Sequence, residues 1–432
     1  MEKIFTPVFA KKRYVFVFRN NTSRFTPTFL SFERMRQPFD ISLFIPVALF
    51  SLCFHIVSAQ EEPNTARTIA LMKRHLRNSL TENKYPFLYP RTVHPDGSLL
   101  KVESRDWTSG FYPGILWQMY DHSRNASWMT AAQKWSIGIE KEKTNTRTHD
   151  VGLMLFTSFG QGYRITNDEK YREILLRGAK SLSTRFNPTI GCIRSWDHGK
   201  WAFPVIIDNM VNLELLFWAT KVSGDSSFFK IAESHANTTI KNHFREDNSS
   251  YHVVDYDTAT GLPISKGTHQ GFSSQSAWSR GQAWGLYGYT MVYRETKDPV
   301  FLAQAEKIAE FFLSHPRLPE DMIPYWDFDA PGIPNEERDA AAAAIVASGL
   351  LELSTFSANG TRYREAAKKI LKSLSSNKYF AAPGTNQNFF LKHCVGHKPG
   401  NYEIDVPLIY ADYYFLEALL RLERLNSNRP LR

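Results

Sequence analysis

The sequence predicts an all-α protein, an (α/α)6 barrel of six helical hairpins that forms a single domain from residue 60 to residue 432. Two observations favour this fold. From residue 60 onward, apolar residues recur at helical spacing and alternating runs are few. Moreover, apolar helices alternate with amphipathic helices that carry Lys, Arg and Glu on their far face. A closed double ring covers every apolar face, whereas the uneven connecting loops argue against an open solenoid.

The outer helices are marked by a repeated start signal. Five times a capping residue ends a short turn, and an aromatic residue follows three positions later. An Asn or Asp side chain at this place accepts hydrogen bonds from the free N–H groups of the first turn, and the aromatic ring packs the helix entry against the preceding helix. The five pairs are Asn125 with Trp128, Asp168 with Tyr171, Asp225 with Phe228, Asp298 with Phe301, and Gly360 with Tyr363.

Each outer helix follows a less charged and more apolar helix, which we predict to face the inside of the ring. A sixth apolar helix near the C-terminus has no later partner, so the N-terminal helix at 63–82 is expected to close that pair. The predicted inner helices are 112–122, 149–164, 206–222, 280–295, 338–356 and 404–424.

Unusual residues stand at the starts of the inner helices. Because all inner helices of such a ring run the same way, their N-termini meet at one mouth. An ordinary N-cap explains any single Asp, but a mouth with carboxylates, an Arg and several Trp suits acid–base chemistry on a sugar. The residues at the six starts are 107–111, His149 and Asp150, Asp208 and Asn209, 280–282, Arg338 and Asp339, and 401–405.

Two of these carboxylates are predicted to lie on neighbouring inner helices. The helix dipole lowers the pKa of an Asp at a helix start, whereas burial beside Trp or a second carboxylate raises it. Asp150 and Asp208 can therefore form a like-charge pair in which one carries a proton and the other stays ionised. Asp339 is a third candidate, although the adjacent Arg338 equally favours an ion-paired structural role.

The segment 278–289 (WSRGQAWGLYGY) combines aromatic and polar residues where the fourth inner helix begins. Aromatic faces stack on the C–H faces of sugar rings, and Arg280 offers a planar donor to a carboxylate. Two alternatives stay open. The segment also fits a buried helix start with aromatic packing, and Arg280 also fits an ion pair with a carboxylate at the mouth.

Composition and charge disfavour several partners. The net charge is +9, but residues 1–60 contain eight basic and three acidic residues, so the rest of the chain is only weakly positive. A nucleic-acid partner is therefore not expected. The chain has no Cys-x-x-Cys pair, and we expect no metal and no other cofactor. Cys192 and Cys394 permit a disulfide in an exported protein but do not require one.

The N-terminal region has the pattern of a targeting segment. An uncharged apolar run at 41–57 follows Arg34 and Arg36, and small residues precede and include Ala59. This pattern predicts a secretory signal peptide at 35–59 that is cleaved after Ala59.

Several expectations follow from that signal peptide. Met35 is then the natural start, and residues 1–34 are an upstream extension. The mature protein is expected to be exported to the periplasm, with no membrane attachment after cleavage. An N-terminal membrane anchor is the alternative, because the apolar run is near the lower limit for spanning a bilayer.

Four segments, spread in order over 63–424, carry a combined signal that none of them carries alone. They are 149–152 (HDVG), 207–214 (IDNMVNLE), 278–284 (WSRGQAW) and 323–329 (IPYWDFD). Together they resemble the signature segments of the unsaturated glucuronyl hydrolases, glycoside hydrolase family 88. The resemblance implies an (α/α)6 barrel. It also implies cleavage of unsaturated uronic acid from the non-reducing end of oligosaccharides made by polysaccharide lyases.

The resemblance further implies a mechanism and its residues. Enzymes of this family hydrate the C4=C5 double bond of the uronate, after which the ring opens and the glycosidic link is lost. By resemblance, Asp208 protonates C4 and activates a water for attack at C5, while Asp150 holds the sugar and steadies the developing positive charge. The substrate-binding residues are His149, His252 (with His269 as a rival), Gln270 and Arg280, with Trp107 and Trp284 stacking on the sugars.

The segment 393–400 (HCVGHKPG) precedes the last inner helix, at the mouth. In the family this loop helps to bind the next sugar, including its sulfate, and some members place Ser where this chain has Cys394 and His397. His397 and Lys398 are expected to meet an anion there, although a plain connecting loop fits the composition as well. We therefore favour glycosaminoglycan-type fragments as substrates.

Three alternative functions stay open at this point. An unsaturated rhamnogalacturonyl hydrolase would share the fold and the chemistry but act on pectin fragments. A lyase on a helical toroid would create the conjugated alkene rather than consume it, and a non-catalytic sugar-binding helical protein would show no turnover. The expected partner is an oligosaccharide that contains unsaturated uronic acid, and the expected assembly is a monomer or weak dimer.

Overall fold

Fourteen α-helices account for about half of residues 63–431, which are the residues that this computed structural model describes. These residues belong to one compact unit, Glu61–Arg432. The predicted upstream extension at 1–34 and the predicted signal peptide at 35–59 lie outside the described residues. Within 63–431, no helix combines the length and the hydropathy that a bilayer crossing requires.

The helices pair into six hairpins, as the sequence predicts. The inner helices are α2 (Phe111–Ser123), α4 (Val151–Leu155) continued by α5 (Gln161–Thr166), α7 (Asn209–Asn212) continued by α8 (Glu214–Ser223), α10 (Ser279–Thr296), α12 (Ala340–Leu353) and α14 (Ile409–Asn426). In the same order, the outer helices are α3 (Ala126–Ser136), α6 (Glu169–Ser183), α9 (Ser226–His243), α11 (Pro299–Ser314), α13 (Gly360–Leu374) and α1 (Thr65–Glu82).

The inner helices form a closed ring. Each packs on the next, and α14 packs on α2, so that no apolar face is left at an edge. The N-terminal helix α1 packs against α14 and completes the sixth hairpin, as predicted. Helix α12 is apolar on all sides and fully buried, which is typical of a helix inside a large core. The structure therefore confirms the (α/α)6 barrel.

The start signals of the outer helices have the expected geometry in four of five cases. Asn125, Asp168, Asp225 and Asp298 each accept a hydrogen bond from the N–H group two residues later. The fifth start differs, because α13 begins at Gly360 itself and its preceding residue makes no side-chain cap.

One inner helix begins later than predicted. The last inner helix was expected from residue 404, but α14 begins at Ile409. Asn401, Glu403 and Asp405 have φ angles of 56°, 53° and 56°, in the left-handed region that a helix cannot continue through. Pro407 also disfavours helical geometry in the residue before it. The segment before α14 is therefore a loop at the mouth of the ring.

The two inner helices that follow Asp150 and Asp208 are irregular and lie very close together. A π-helical turn, Phe156–Gly160, separates α4 from α5, and α7 gives way to α8 at Leu213. Gly152 allows the close approach, because a Cβ atom there would lie 2.5 Å from the carbonyl oxygen of Asn212. This contact brings the starts of the second and third inner helices side by side.

Small antiparallel sheets form in the connections between the helices. The strands are β1 (Tyr89–Val93) with β2 (Leu99–Val102), β3 (Phe186–Asn187) with β4 (Cys192–Ile193), and β5 (Pro204–Ile206), β6 (Val253–Tyr256) and β7 (Pro263–Gly267) in that order. In the last sheet Ile206 pairs with Val253. That register places the residue after β5 next to the residue before β6, which positions Asp208 and His252 for the site below.

Candidate active site

A cavity of about 300 Å3 opens among the N-terminal ends of the inner helices. We call it the mouth cavity. Its floor includes Leu153 and Val211, one turn after Asp150 and Asp208 respectively. Its lining combines carboxylates, imidazoles, guanidinium groups and aromatic rings: Arg91, Trp107, Arg147, Thr148, His149, Asp150, Trp196, His198, Asp208, Asn212, His269, Gln270, Arg280, Trp284, His397, Tyr402, Glu403 and Tyr410.

Asp208 is the N-cap residue of α7, but its side chain makes no capping hydrogen bond. The side chain is 18% exposed, and its Oδ2 atom has no hydrogen-bond partner. Burial raises the pKa of Asp208 to about 7; Arg280 opposes this shift and Asp150 adds to it. A carboxyl group that gains and loses a proton near neutrality has the property that general acid–base catalysis needs.

His252 faces Asp208, with its Nε2 atom 3.6 Å from Oδ2 of Asp208. The backbone N–H groups of His269 and Gln270 both donate to Nδ1 of His252, at 3.1 Å each. Nδ1 is therefore the acceptor, and the proton of the neutral ring lies on Nε2, towards Asp208. Burial lowers the pKa of His252 well below its usual value, so the ring stays neutral.

Asp150 is held beside His149. Thr148 donates its hydroxyl to Oδ2 of Asp150 at 2.8 Å, and Nε2 of His149 lies 3.3 Å from Oδ1. The amide of Asn212 lies 3.4 Å from Nδ1 of His149. An amide N–H donated to Nδ1 places the ring proton on Nε2, where it faces the carboxylate. His149 is buried and so orients Asp150 from below the cavity surface.

Arg280 lines the cavity but already has partners. Its guanidinium donates to Oδ2 of Asp339 at 2.7 Å and to the carbonyl groups of Val395 and Gly396. The ring of Trp278 lies 4.7 Å from it, in a cation–π contact. The ion-pair alternative for Arg280 is therefore present, and it ties α10 to the loop before α14. A contact between Arg280 and a substrate carboxylate stays a prediction.

Three other predicted residues connect neighbouring loops at the cavity wall. Gln270 donates its side-chain amide to the carbonyl of Gly396 at 3.0 Å. The N–H of Gly400 donates to Nδ1 of His397, so the ring proton of neutral His397 lies on Nε2, 3.2 Å from Nε2 of His269. His269, the rival of His252, lines the cavity, whereas His252 lies behind the lining residues and reaches the site through Asp208.

Lys398, which is expected to meet an anion, already has two acidic partners. A contact between Lys398 and a substrate anion stays a prediction. The ammonium group of Lys398 bonds Glu336 at 2.5 Å and also bonds Glu337, and it lies over the ring of Trp326. The sequence segment that suggested an anion site could not reveal these two acceptors, because they precede the neighbouring helix α12. Among the predicted residues of this loop, His397 lines the cavity and Lys398 does not.

Aromatic residues line the cavity on several sides. Trp107 packs against Tyr410 with ring centroids 4.8 Å apart, and buried Trp284 packs against Tyr410 and Tyr414. Sequence reasoning missed five other lining residues. Arg147, Trp196 and His198 come from loops with no helix start to mark them, Arg91 comes from β1, and Tyr410 lies in the first turn of α14, which begins later than predicted.

No group of three or more His, Cys, Asp or Glu residues within 63–431 has a geometry suited to a metal ion. The two cysteines of this region, Cys192 and Cys394, are buried and not joined to each other.

Comparison with known proteins identifies the family. An unsaturated glucuronyl hydrolase of Formosa agariphila is 46% identical over 376 residues, which cover 85% of this chain and 92% of the relative. The chain belongs to the unsaturated glucuronyl hydrolases. It is a glycoside hydrolase, as the four sequence segments predict.

Other comparisons agree with membership of the unsaturated glucuronyl hydrolases. An unsaturated chondroitin disaccharide hydrolase of Streptococcus pneumoniae is 34% identical over 361 residues, 81% of this chain and 89% of the relative. The crystal structure of an unsaturated glucuronyl hydrolase specific for heparin superposes with a TM-score of 0.83 at 48% identity and covers 84% of this chain and 98% of that structure. No family model matches the chain.

Proposed function

We propose that this enzyme releases 4,5-unsaturated uronic acid from the non-reducing end of lyase-generated oligosaccharides, with Asp208 as its general acid and base. The observation that carries the proposal is the state of Asp208. Its carboxyl group has a pKa of about 7, its Oδ2 atom has no partner, and it faces a cavity walled by aromatic rings.

The proposed reaction starts with proton transfer to carbon. The C4=C5 bond of the substrate is conjugated with its carboxylate, and C5 also bears the ring oxygen, so the alkene is a vinyl ether. Protonated Asp208 donates its proton to C4, which leaves a positive charge shared by C5 and the ring oxygen. A water molecule then attacks C5 and returns a proton to the Asp208 carboxylate. The net change is the addition of one water across C4=C5.

Ring opening completes the release of the sugar. The product of hydration is a hemiketal at C5. When the bond from C5 to the ring oxygen breaks, C5 becomes a ketone and the ring oxygen takes up a proton. C1 is then a hemiacetal, which expels the remaining saccharide as an alcohol and becomes an aldehyde. No second acid is needed at the glycosidic oxygen, in contrast to ordinary glycoside hydrolysis.

Neighbouring groups stabilise the charges that form on Asp208 and on the sugar during the reaction. The Nε2–H of neutral His252 points at Oδ2 and stabilises the carboxylate after it has given up its proton. Asp150, held by Thr148 and His149, supplies a fixed negative charge that favours the positive charge on the sugar. Trp107 provides apolar surface for the sugar rings, and Trp284, which is 1% exposed, forms part of the cavity wall.

Glycosaminoglycan fragments are the favoured substrate class. Two of the relatives carry names that specify heparin or chondroitin disaccharides. The mouth cavity also offers imidazole and guanidinium groups to an anionic oligosaccharide. Pectin-derived unsaturated rhamnogalacturonan is the alternative, because the same hydration would act on it.

The test is a panel of unsaturated disaccharides prepared with lyases from heparin, chondroitin, hyaluronan and rhamnogalacturonan. Loss of the ultraviolet absorbance of the conjugated alkene measures turnover, and mass spectrometry identifies the products. We expect fastest loss with a glycosaminoglycan disaccharide. The products should be equal amounts of free saccharide and a keto-uronate, whose masses together exceed that of the disaccharide by one water. Turnover of the pectin disaccharide alone would overturn the substrate class, and binding without loss of absorbance would overturn the reaction.

We also infer that the mature enzyme is exported and begins at Gln60. The support is the apolar run at 41–57 followed by the small residues that end at Ala59. Expression of the full chain with N-terminal sequencing of the secreted product tests this inference. An intact N-terminus that stays with the membrane fraction would favour an anchor.

A further inference from the structure

Arg147 is a lining residue of the mouth cavity that the mechanism does not use. It lies on the loop that leads to Asp150, and its side chain is exposed to solvent. The other two lining arginines are already committed. Arg91 bonds Asp106 and Glu403, each at 2.6 Å, and Arg280 bonds Asp339 at 2.7 Å.

Among residues 63–431, no carboxylate forms an ion pair with Arg147 within 4 Å. Asp197 feels the positive charge of Arg147, but Asp197 is already bonded by Arg185 at 2.9 Å and approached by Arg194 at 3.4 Å. The guanidinium of Arg147 is therefore a full charge at the edge of the cavity whose hydrogen-bond donors are free for a ligand. Arginine presents these donors in a planar fork that matches the oxygens of sulfate and carboxylate.

The backbone around Arg147 is fixed. The N–H of Arg147 donates to the side-chain oxygen of Asn145 at 2.9 Å, and buried Arg185 donates to the carbonyl of Thr146 at 2.6 Å. Thr148 pairs as an isolated β-bridge with Trp196, whose ring also lines the cavity. A charged side chain on a fixed backbone can bind a ligand group at low entropic cost, because only its own rotamers must be ordered on binding.

Arg147 also lies at a distance along the chain from the loop that carries His397. It belongs to the segment before α4, together with Thr148, whose hydroxyl orients Asp150. An anion held by Arg147 is thus tied to the same short segment that positions a catalytic carboxylate. Such a contact aligns the substrate with that carboxylate as well as attracting it.

We propose that Arg147 is a specificity-determining residue that binds an anionic substituent, a sulfate, on the sugar that follows the unsaturated uronate. This inference rests on the proposed function. The uronate ring must place C4 and C5 beside Asp208 at the interior of the cavity, so the exposed guanidinium at the rim is left for the next sugar. Sulfate is the group that distinguishes such sugars by charge.

The experiment compares two unsaturated disaccharides that differ only in one sulfate on the second sugar. The enzymes are the wild type, Arg147→Gln, Arg147→Lys, and the control Arg105→Gln, which removes an arginine that is 79% exposed and does not line the cavity. The readout is kcat/KM for each disaccharide and the ratio of the two values.

We expect Arg147→Gln to lower the ratio of sulfated to unsulfated kcat/KM by about tenfold, from the loss of one charge-assisted fork contact. Arg147→Lys should keep part of the preference, because the charge remains but the fork is lost. Added salt should shrink the preference in the wild type and not in Arg147→Gln. Arg105→Gln should leave the ratio unchanged.

Two outcomes would overturn the proposal. An unchanged ratio in Arg147→Gln shows that the sulfate is bound elsewhere, and an equal loss for both disaccharides shows that Arg147 binds the uronate carboxylate instead. Failure of the proposed function looks different, because the wild type would then consume neither disaccharide.

Discussion

The barrel has a cavity at each end, and the larger one is not the candidate active site. The mouth cavity measures about 300 Å3. A second cavity of about 1010 Å3 lies at the C-terminal ends of the inner helices, and we call it the C-terminal cavity. Leu153 and Val211 line both, so the two spaces meet at one apolar floor.

The two cavities differ in how their carboxylates are paired with arginines. In the C-terminal cavity, Arg294 bonds Glu214, Glu295 and Glu352, and Arg421 bonds Glu352. Although burial alone would raise the pKa of Glu352, the two arginines hold it below its usual value. In the mouth cavity Arg280, whose charge opposes the pKa shift of Asp208, is bonded to Asp339, and burial dominates so that the pKa of Asp208 rises.

Charge compensation therefore separates a structural cavity from a reactive one more clearly than volume does. Glu352, which two arginines bond, is held in its ionised form, whereas burial raises the pKa of Glu214 even though Arg294 bonds it. A buried carboxyl without a committed cation is poised to exchange protons. The comparison can be tested by changing one residue at each end.

The largest effect is expected for Asp208→Asn. The amide keeps the size of the side chain but can neither give nor accept the proton, so kcat should fall by about a thousandfold. Loss of alkene absorbance measures turnover, and circular dichroism checks folding. The control is Glu214→Gln. Glu214 lies six residues after Asp208 on the same inner helix but lines the C-terminal cavity, so this change should alter kcat less than about twofold. Wild-type turnover in Asp208→Asn would refute the mechanism.

The next largest effect is expected for Arg421→Met. The side chains of Arg421 and Glu352 are each 4% exposed, and removing Arg421 takes away one of the two arginines that compensate the buried charge of Glu352. The free energy of unfolding should fall by about 3–5 kcal/mol, measured by urea denaturation, with kcat unchanged where the protein is folded. The double variant Arg421→Met with Glu352→Gln should recover part of the loss. A tenfold fall in kcat of folded Arg421→Met would show that the two cavities are functionally coupled.

A moderate effect is expected from pH. Asp208 must be protonated to donate its proton to C4, and its pKa is about 7. Turnover should therefore be high on the acid side and fall tenfold for each pH unit above that value. His252 does not contribute a limb near neutrality, because burial holds its pKa well below its usual value. A profile that rises with pH between 6 and 8 would mean that the working group must be ionised.

The smallest effect is expected in stability. The pKa of Asp208 is about 7 in the folded state and about 4 in the unfolded chain, so the folded state binds this proton more tightly. The contribution of this proton to the free energy of unfolding is then present in full below the unfolded pKa and is lost as pH rises towards 7. Asn carries no such cost, so Asp208→Asn should raise the melting temperature by about 1–3 °C at pH 8 and not at pH 4. Calorimetry at both pH values tests this sign.

The sequence predicted the ring of helices well because helical periodicity and N-caps are local signals. It also predicted Asp208 and Asp150, because their helix starts follow from the same periodicity and their segments resemble the family. It did not reveal the two glutamates that bind Lys398, since they come from a separate segment. Arg147 and Trp196 were missed because they lie in loops, where only the tertiary structure decides which side chains reach the cavity.

Helix α1 packs against α14, so the two ends of the described chain form one hairpin. A chain emerging from the ribosome carries five complete hairpins long before its last helix is made, and until then the apolar seam between the first and fifth stays uncovered. The ring of helices can therefore close only after α14 has been synthesised. A circular permutant that joins these ends and opens the chain at the turn before Asn125 would shift that event to another pair of helices while leaving the ring itself unaltered.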